Sequence, residues 1–168
     1  DGKLNTEVRD GTDIARAVIL QTDGKILVGG YSWWFSRFNF TVARYNTDGT
    51  LDATYNQDGK QVLLMSTDDS GIMSLALQTD GNVLATGSVF GGAWTFGAAR
   101  FSTAGLLETS FSTDGKMSLP VLASEDRSFS VVVGEDSAIY LGGFADNGSD
   151  EDFAAARLSS SGVLDTGF

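Results

Sequence analysis

Neither histidine nor cysteine occurs in the 168 residues, so the chemistry open to this chain is narrow. The usual general base near neutral pH, the commonest metal ligand and the most reactive nucleophile are missing together. Carboxylates remain, 22 of them against 11 Lys and Arg. Two acids suffice for glycoside hydrolysis, but no spacing singles out a pair, and the chain is expected not to be an enzyme. A formal charge of −11 repels phosphate backbones, so nucleic acid and anionic membranes are not expected partners.

Three groups of side chains carry a spacing that invites a functional reading. Arg44, Arg100 and Arg157 are each followed eight residues later by an acid, Asp52, Glu108 and Asp165. These are three equivalent anion sites or one structural ion pair repeated. The pair is expected, because a feature present in every copy serves what all copies share. Asp146, Asp150 and Asp152 form the densest acidic stretch, around Gly148. Calcium wants six to eight oxygens, so a solvated loop is expected there. No cofactor is expected, and calcium at these three acids is the weak candidate. Asp-Gly pairs such as Asp23-Gly24 and Asp80-Gly81 offer one carboxylate apiece and read as turns.

The sharper signal is aromatic. Trp33, Trp34, Phe35, Phe38 and Phe40 crowd into one stretch. Strict alternation cannot bury both Trp33 and Trp34 on one face. At least one is expected near the surface, where with Tyr31, Phe35 and Arg37 it makes a platform for a sugar ring or a peptide. Trp94, beside Phe96, is the smaller counterpart. The competing reading is that the rings cover the end of the β-structure or fill a subunit interface.

What must position these residues is a repeat. Val18 to Gly30, built around Gln21-Thr22-Asp23-Gly24-Lys25, returns as Leu75 to Gly87 and more loosely as Val131 to Gly143. Val42-Ala43-Arg44-Tyr45 returns as Ala98-Ala99-Arg100-Phe101 and Ala155-Ala156-Arg157-Leu158. An aromatic residue and Asp-Gly-Lys follow, as Tyr55 with Asp58-Gly59-Lys60 and Phe111 with Asp114-Gly115-Lys116. The chain therefore reads as one repeat domain, 1–168, with units of approximately 1–57, 58–113 and 114–168. Only the connection after Gly30, Gly87 and Gly143 changes length and sequence markedly, and variable loops on a constant scaffold are where binding usually lives.

Short β-branched runs punctuated by Asp-Gly predict an all-β fold with about four strands per unit. The predicted strands lie near 3–8, 15–21, 25–30 and 40–46, then near 60–65, 74–78, 82–87 and 96–102, and then near 116–121, 128–133, 138–143 and 153–159. Pro120 falls late in one of these strands, which suits an edge.

The marker order QTDGKILVGG, ARYNTDGTLD, then an aromatic and DGK, resembles the delta-60 repeat, a β-propeller-like repeat of large bacterial secreted and cell-surface proteins. Unit three departs from it, with Gly134-Glu135-Asp136-Ser137-Ala138 at the first turn. The resemblance implies four-stranded antiparallel blades. Closed propellers have four to eight, so three units imply a homo-oligomer, a longer repeat array, or a closed threefold β-trefoil or β-prism. In each case the strand near 3–8 is expected to pair with unit three or with a neighbouring chain. The functional expectation is a non-enzymatic extracellular or cell-surface recognition or adhesion module that binds a glycan or another surface protein. The alternative is a structural spacer or oligomerisation domain.

Overall fold

A computed structural model describes residues 2–122 and 125–168, and the described residues form strands and turns without a helix. β1 (Asp13–Leu20), β2 (Ile26–Trp34), β3 (Arg37–Tyr45) and β4 (Lys60–Leu63) make the first antiparallel sheet, in that order. β5 (Ser70–Leu77), β6 (Val83–Phe90), β7 (Trp94–Phe101) and β8 (Lys116–Leu119) repeat it. β9 (Asp126–Val133), β10 (Ile139–Asp146) and β11 (Glu151–Leu158) make a third sheet of three strands. The outer strand of each complete sheet comes from the start of the next sequence unit, so the sheets straddle the unit boundaries. Pro120 stands just past β8, an outer strand with no ladder beyond it.

Turn chemistry sets the hairpins. The Gln21 N–H donates to Lys25 O (2.8 Å), the Gly24 N–H donates to Gln21 O (2.9 Å), and Gly24 has φ +84°. The divergent turn of unit three closes the same way: the Gly134 N–H donates to Ala138 O at 2.8 Å and the Ser137 N–H to Gly134 O at 2.9 Å. Ser137 takes the positive φ there, +63°, and Asp136 Oδ1 accepts from the Ala138 N–H as Asp23 does from Lys25.

Each sheet buries a face against the next. Leu27, Phe40 and Val42 of the first pack with Leu75, Val83 and Phe101 of the second. Leu84, Phe96 and Ala98 of the second pack with Val131, Ile139 and Leu158 of the third. Burying each such large side chain is worth roughly 1.5–3 kcal/mol. The three sheets stack as a propeller-like arc that does not close, so the closed trefoil or prism is not the architecture.

Two further expectations are corrected. Residues 3–8 are not a strand and do not pair with unit three. A strand needs a ladder partner, and among the described residues no strand runs beside this segment. It lies instead over the free face of the first sheet, with Glu7 O accepting from Lys60 Nζ at 3.2 Å. The variable connection after Gly30 is mostly not a loop: β2 and β3 run through it and meet in a two-residue turn, because its aromatic residues favour strand.

Candidate binding surface at the variable end

The β2–β3 and β6–β7 hairpins and the 64–69 connection lie at one end of the sheets, and the Asp-Gly turns at the other. In the β2–β3 hairpin Trp34 stands opposite Arg37, leaving Phe35 (φ +52°) and Ser36 (φ +62°) as the turn. Positive φ at both positions is the twist-compatible hairpin geometry. Asn39 Nδ2 ties its base together by donating to Trp34 O (2.9 Å) and Arg37 O (3.0 Å).

Alternation then sends the two tryptophans apart. Trp33, 40 % exposed, stands edge-on to Phe38 with centroids 5.0 Å apart, and Tyr31 meets the same ring at 5.1 Å. Trp34 turns to the other face, its ring 4.1 Å from Phe35 and 4.8 Å from the Arg9 guanidinium. Phe35 is exposed. Arg37 reaches inward and donates from Nη1 to Thr67 O, fastening the 64–69 connection.

Tyr31 and Trp94 line one cleft that the sequence does not advertise. This open cleft of about 270 Å³ draws its lining from all three sheets, with Ile14, Tyr31 and Phe38 of the first, Met73 and Trp94 of the second and Arg127 of the third among others. The Arg127 guanidinium sits 4.1 Å from the Trp94 ring centre and pairs with Glu125 at 2.7 Å. Tyr31 Oη accepts from Arg16 Nη2 at 2.8 Å, and Asp69 Oδ1 accepts from the Phe38 N–H at 2.8 Å. Arg127 escaped the sequence reading. Its signal was divergence at one repeat position, where Ile14, Gly71 and Arg127 succeed one another.

The expected ion pairs form in two units. Arg44 Nε meets Asp52 Oδ2 at 2.8 Å, buried, with Lys25 Nζ on the same oxygen at 2.8 Å. Burial alone would raise the Asp52 carboxyl, but Lys25, Thr54 and Arg44 overcome it and hold the group well below the usual carboxylate range. Arg157 Nη1 meets Asp165 at 2.7 Å, and its Nη2 meets Asp136 at 2.7 Å. In unit two, Arg100 reaches Glu108 only through Ser110, by contacts of 2.8 and 3.3 Å. Glu108 has one methylene more than Asp52, and Ser110 fills the gap.

In the acidic loop, Asn147 Nδ2 donates to Asp150 Oδ1 (2.6 Å) and Asp152 Oδ2 (2.7 Å), while Asp146 Oδ1 accepts from the Gly148 N–H (2.7 Å). The carboxylates of Asp150 and Asp152 thus converge on an amide. Among the described residues no three acids gather as a metal needs.

Residues 21–55 and 134–168 match the family model described as a domain of unknown function (DUF5122) β-propeller. The units are propeller-like repeats. The two matched stretches are equivalent to one another in the repeat, each running from the first turn to the aromatic marker, Tyr55 and Phe168. No curated protein matches the chain. In propeller terms β1, β5 and β9 are the strands that pack on neighbouring blades, and the cleft lined by Tyr31, Trp94 and Arg127 takes residues from three blades.

Proposed function

We propose that this propeller-like repeat domain is a non-enzymatic recognition module that binds a neutral glycan at its variable end. The observation that carries the reading is the inter-blade cleft, whose largely apolar lining gathers Tyr31, Phe38 and Trp94, with the Arg127 guanidinium stacked on the Trp94 ring. Apolar surface with a few placed polar groups is how small ligands are held, and amphipathic rings suit a sugar's apolar face and polar rim. Trp33 and Phe35 extend the aromatic surface outward. A net charge of −11 argues against polyanionic ligands. Binding without turnover is supported by the chemistry of the lining, in which Arg127 is paired and Asp69 is committed to the backbone. The resemblance of the markers to the delta-60 repeat supports an extracellular or cell-surface setting.

The test is titration with a panel of neutral oligosaccharides, followed by tryptophan fluorescence. Binding is expected for the native chain. Trp94→Ala and Tyr31→Ala should each weaken it at least tenfold, about 1.4 kcal/mol, with the fold intact by circular dichroism. A blank panel, or variants that bind as well as the native chain, would remove the reading. A structural role for the variable end is the second reading. Arg37 favours it, since its bond to Thr67 O stitches the hairpin to the neighbouring connection.

A further inference from the structure

Each unit grips the next through one set of contacts, made twice within the chain. Arg44 Nη1 donates to Thr103 O (2.6 Å), and Arg100 Nη1 donates to Ser160 O (3.0 Å). The Asn56 N–H donates to Ala104 O (2.8 Å), and the Ser112 N–H donates to Ser161 O (2.6 Å). The Tyr55 ring lies over Gly105 and the Phe111 ring over Gly162, so close that a Cβ would stand 2.7 or 2.6 Å from the ring. The receiving turn is therefore Thr103-Ala104-Gly105 or Ser160-Ser161-Gly162. Its counterpart in unit one is Thr47-Asp48-Gly49, where Leu4 alone, at 3.6 Å, approaches the place a ring would take. The donating side ends at Arg157, which folds onto Asp136 and Asp165, and at Phe168, which is exposed.

The apolar faces repeat the pattern. Phe40 and Phe96 are 0 % exposed, whereas Phe153, at the same repeat position, is 106 % exposed. Leu75 and Val131 are each 6 % exposed, whereas their counterpart Val18 is 67 % exposed. Leu75 packs down on Gly29, within 2.9 Å of where a Cβ would be, while Gly142, the counterpart of Gly29, has open space above it. β3 and β7 carry outer strands β4 and β8, and β11 carries none.

We infer that two copies of the chain dock head to tail and reciprocally, the β11 face of each on the β1 face of the other, to complete a six-bladed ring. The two exposed ends are the complementary halves of an interface already present twice, so a second copy carries both surfaces that the ends fit. A contact between unlike surfaces either closes a ring or runs on as a filament. Two copies supply six sheets, within the four to eight that close.

The repeat also fixes the register. β4 pairs Phe40 with Leu63 and Ala43 with Lys60, and β8 pairs Phe96 with Leu119 and Ala99 with Lys116. Carried to the end of the chain, this sets Phe153 opposite Thr6, Ala155 opposite Leu4 and Ala156 opposite Lys3 of the other copy. The segment already lies where an outer strand would. Lys60 Nζ holds Glu7 O at 3.2 Å as Lys116 Nζ holds Leu64 O at 2.9 Å. Pairing supplies a ladder for residues 4–6 and covers the bare edge of β11.

Sedimentation equilibrium tests the assembly, and a disulfide tests the register. The native chain is expected at twice its 17.7 kDa mass. Phe153→Asp should raise the dissociation constant at least tenfold without altering the circular dichroism. The double variant Leu4→Cys with Ala155→Cys, in a chain otherwise free of cysteine, should oxidise to a covalent dimer, since directly opposed residues lie within disulfide reach. A native chain that stays monomeric well above micromolar concentration would overturn the inference, leaving those faces to a repeat outside this chain. So would species that lengthen with concentration, or a disulfide that forms only within one chain. The dimer stands or falls apart from the glycan reading, because Phe153 and β11 take no part in the cleft.

Discussion

Asp52 shows what a recurrent charge does in this frame. Its carboxylate holds Arg44 and Lys25 on one oxygen and the Thr54 N–H and hydroxyl on the other, at 2.6 to 3.0 Å. Its folded pKa lies below the unfolded value of about 3.9. Stability from Asp52 is therefore fully present above about pH 4 and is lost as pH falls toward the folded value. Asp52→Asn should lower the unfolding free energy by roughly 3 kcal/mol at neutral pH, because a buried guanidinium loses its partner. Denaturant titrations of both chains should show the gap narrowing as pH drops below about 4; a gap independent of pH would contradict the assignment. The spacing from Arg44 to Asp52 made this pair legible in the sequence. The Ser110 relay in unit two was not, because a one-methylene difference between Asp and Glu changes which atom reaches the arginine.

Turns carry the next level. Ser137 occupies the positive-φ position that Gly24 and Gly81 fill in the other units. Ser137→Gly should raise stability by about 1 kcal/mol, the cost of holding a side chain in that conformation, measured by the shift in denaturant midpoint. Gly105 and Gly148 both have positive φ, +80° and +93°, but only Gly105 has the Tyr55 ring against it. Gly105→Ala should therefore be the more destabilising of the two, by at least about 1 kcal/mol, and equal effects would show that the ring does not anchor the unit junction. Strand positions were readable wherever Asp-Gly bounded a β-branched run. The variable stretch was misread as a loop because its lengths and residues differ between units, yet Trp33 and Phe38 are cross-strand partners in a ladder. The opposite fates of Trp33 and Trp34 followed directly from alternation.

At the scale of the molecule, the repeat was visible in full and its closure was not. Periodic markers specify one unit and its neighbour contact, but the end faces of an array carry residues like the buried ones; Phe153 and Phe96 are the same residue at the same repeat position, one exposed and one buried. The cleft was hidden for a related reason. Tyr31, Trp94 and Arg127 come from three units, and their meeting depends on how blades stack rather than on any local pattern. The shared contacts lie at the Asp-Gly end and between blades, and the proposed recognition is assigned to the variable end. Amide hydrogen exchange along the chain, with and without a bound oligosaccharide from the panel, tests this division most directly. The account predicts added protection confined to the β2–β3 and β6–β7 hairpins, the 64–69 connection and the cleft-lining starts of β1, β5 and β9; protection appearing instead at the 21–25, 46–59 or 134–138 turns would contradict it.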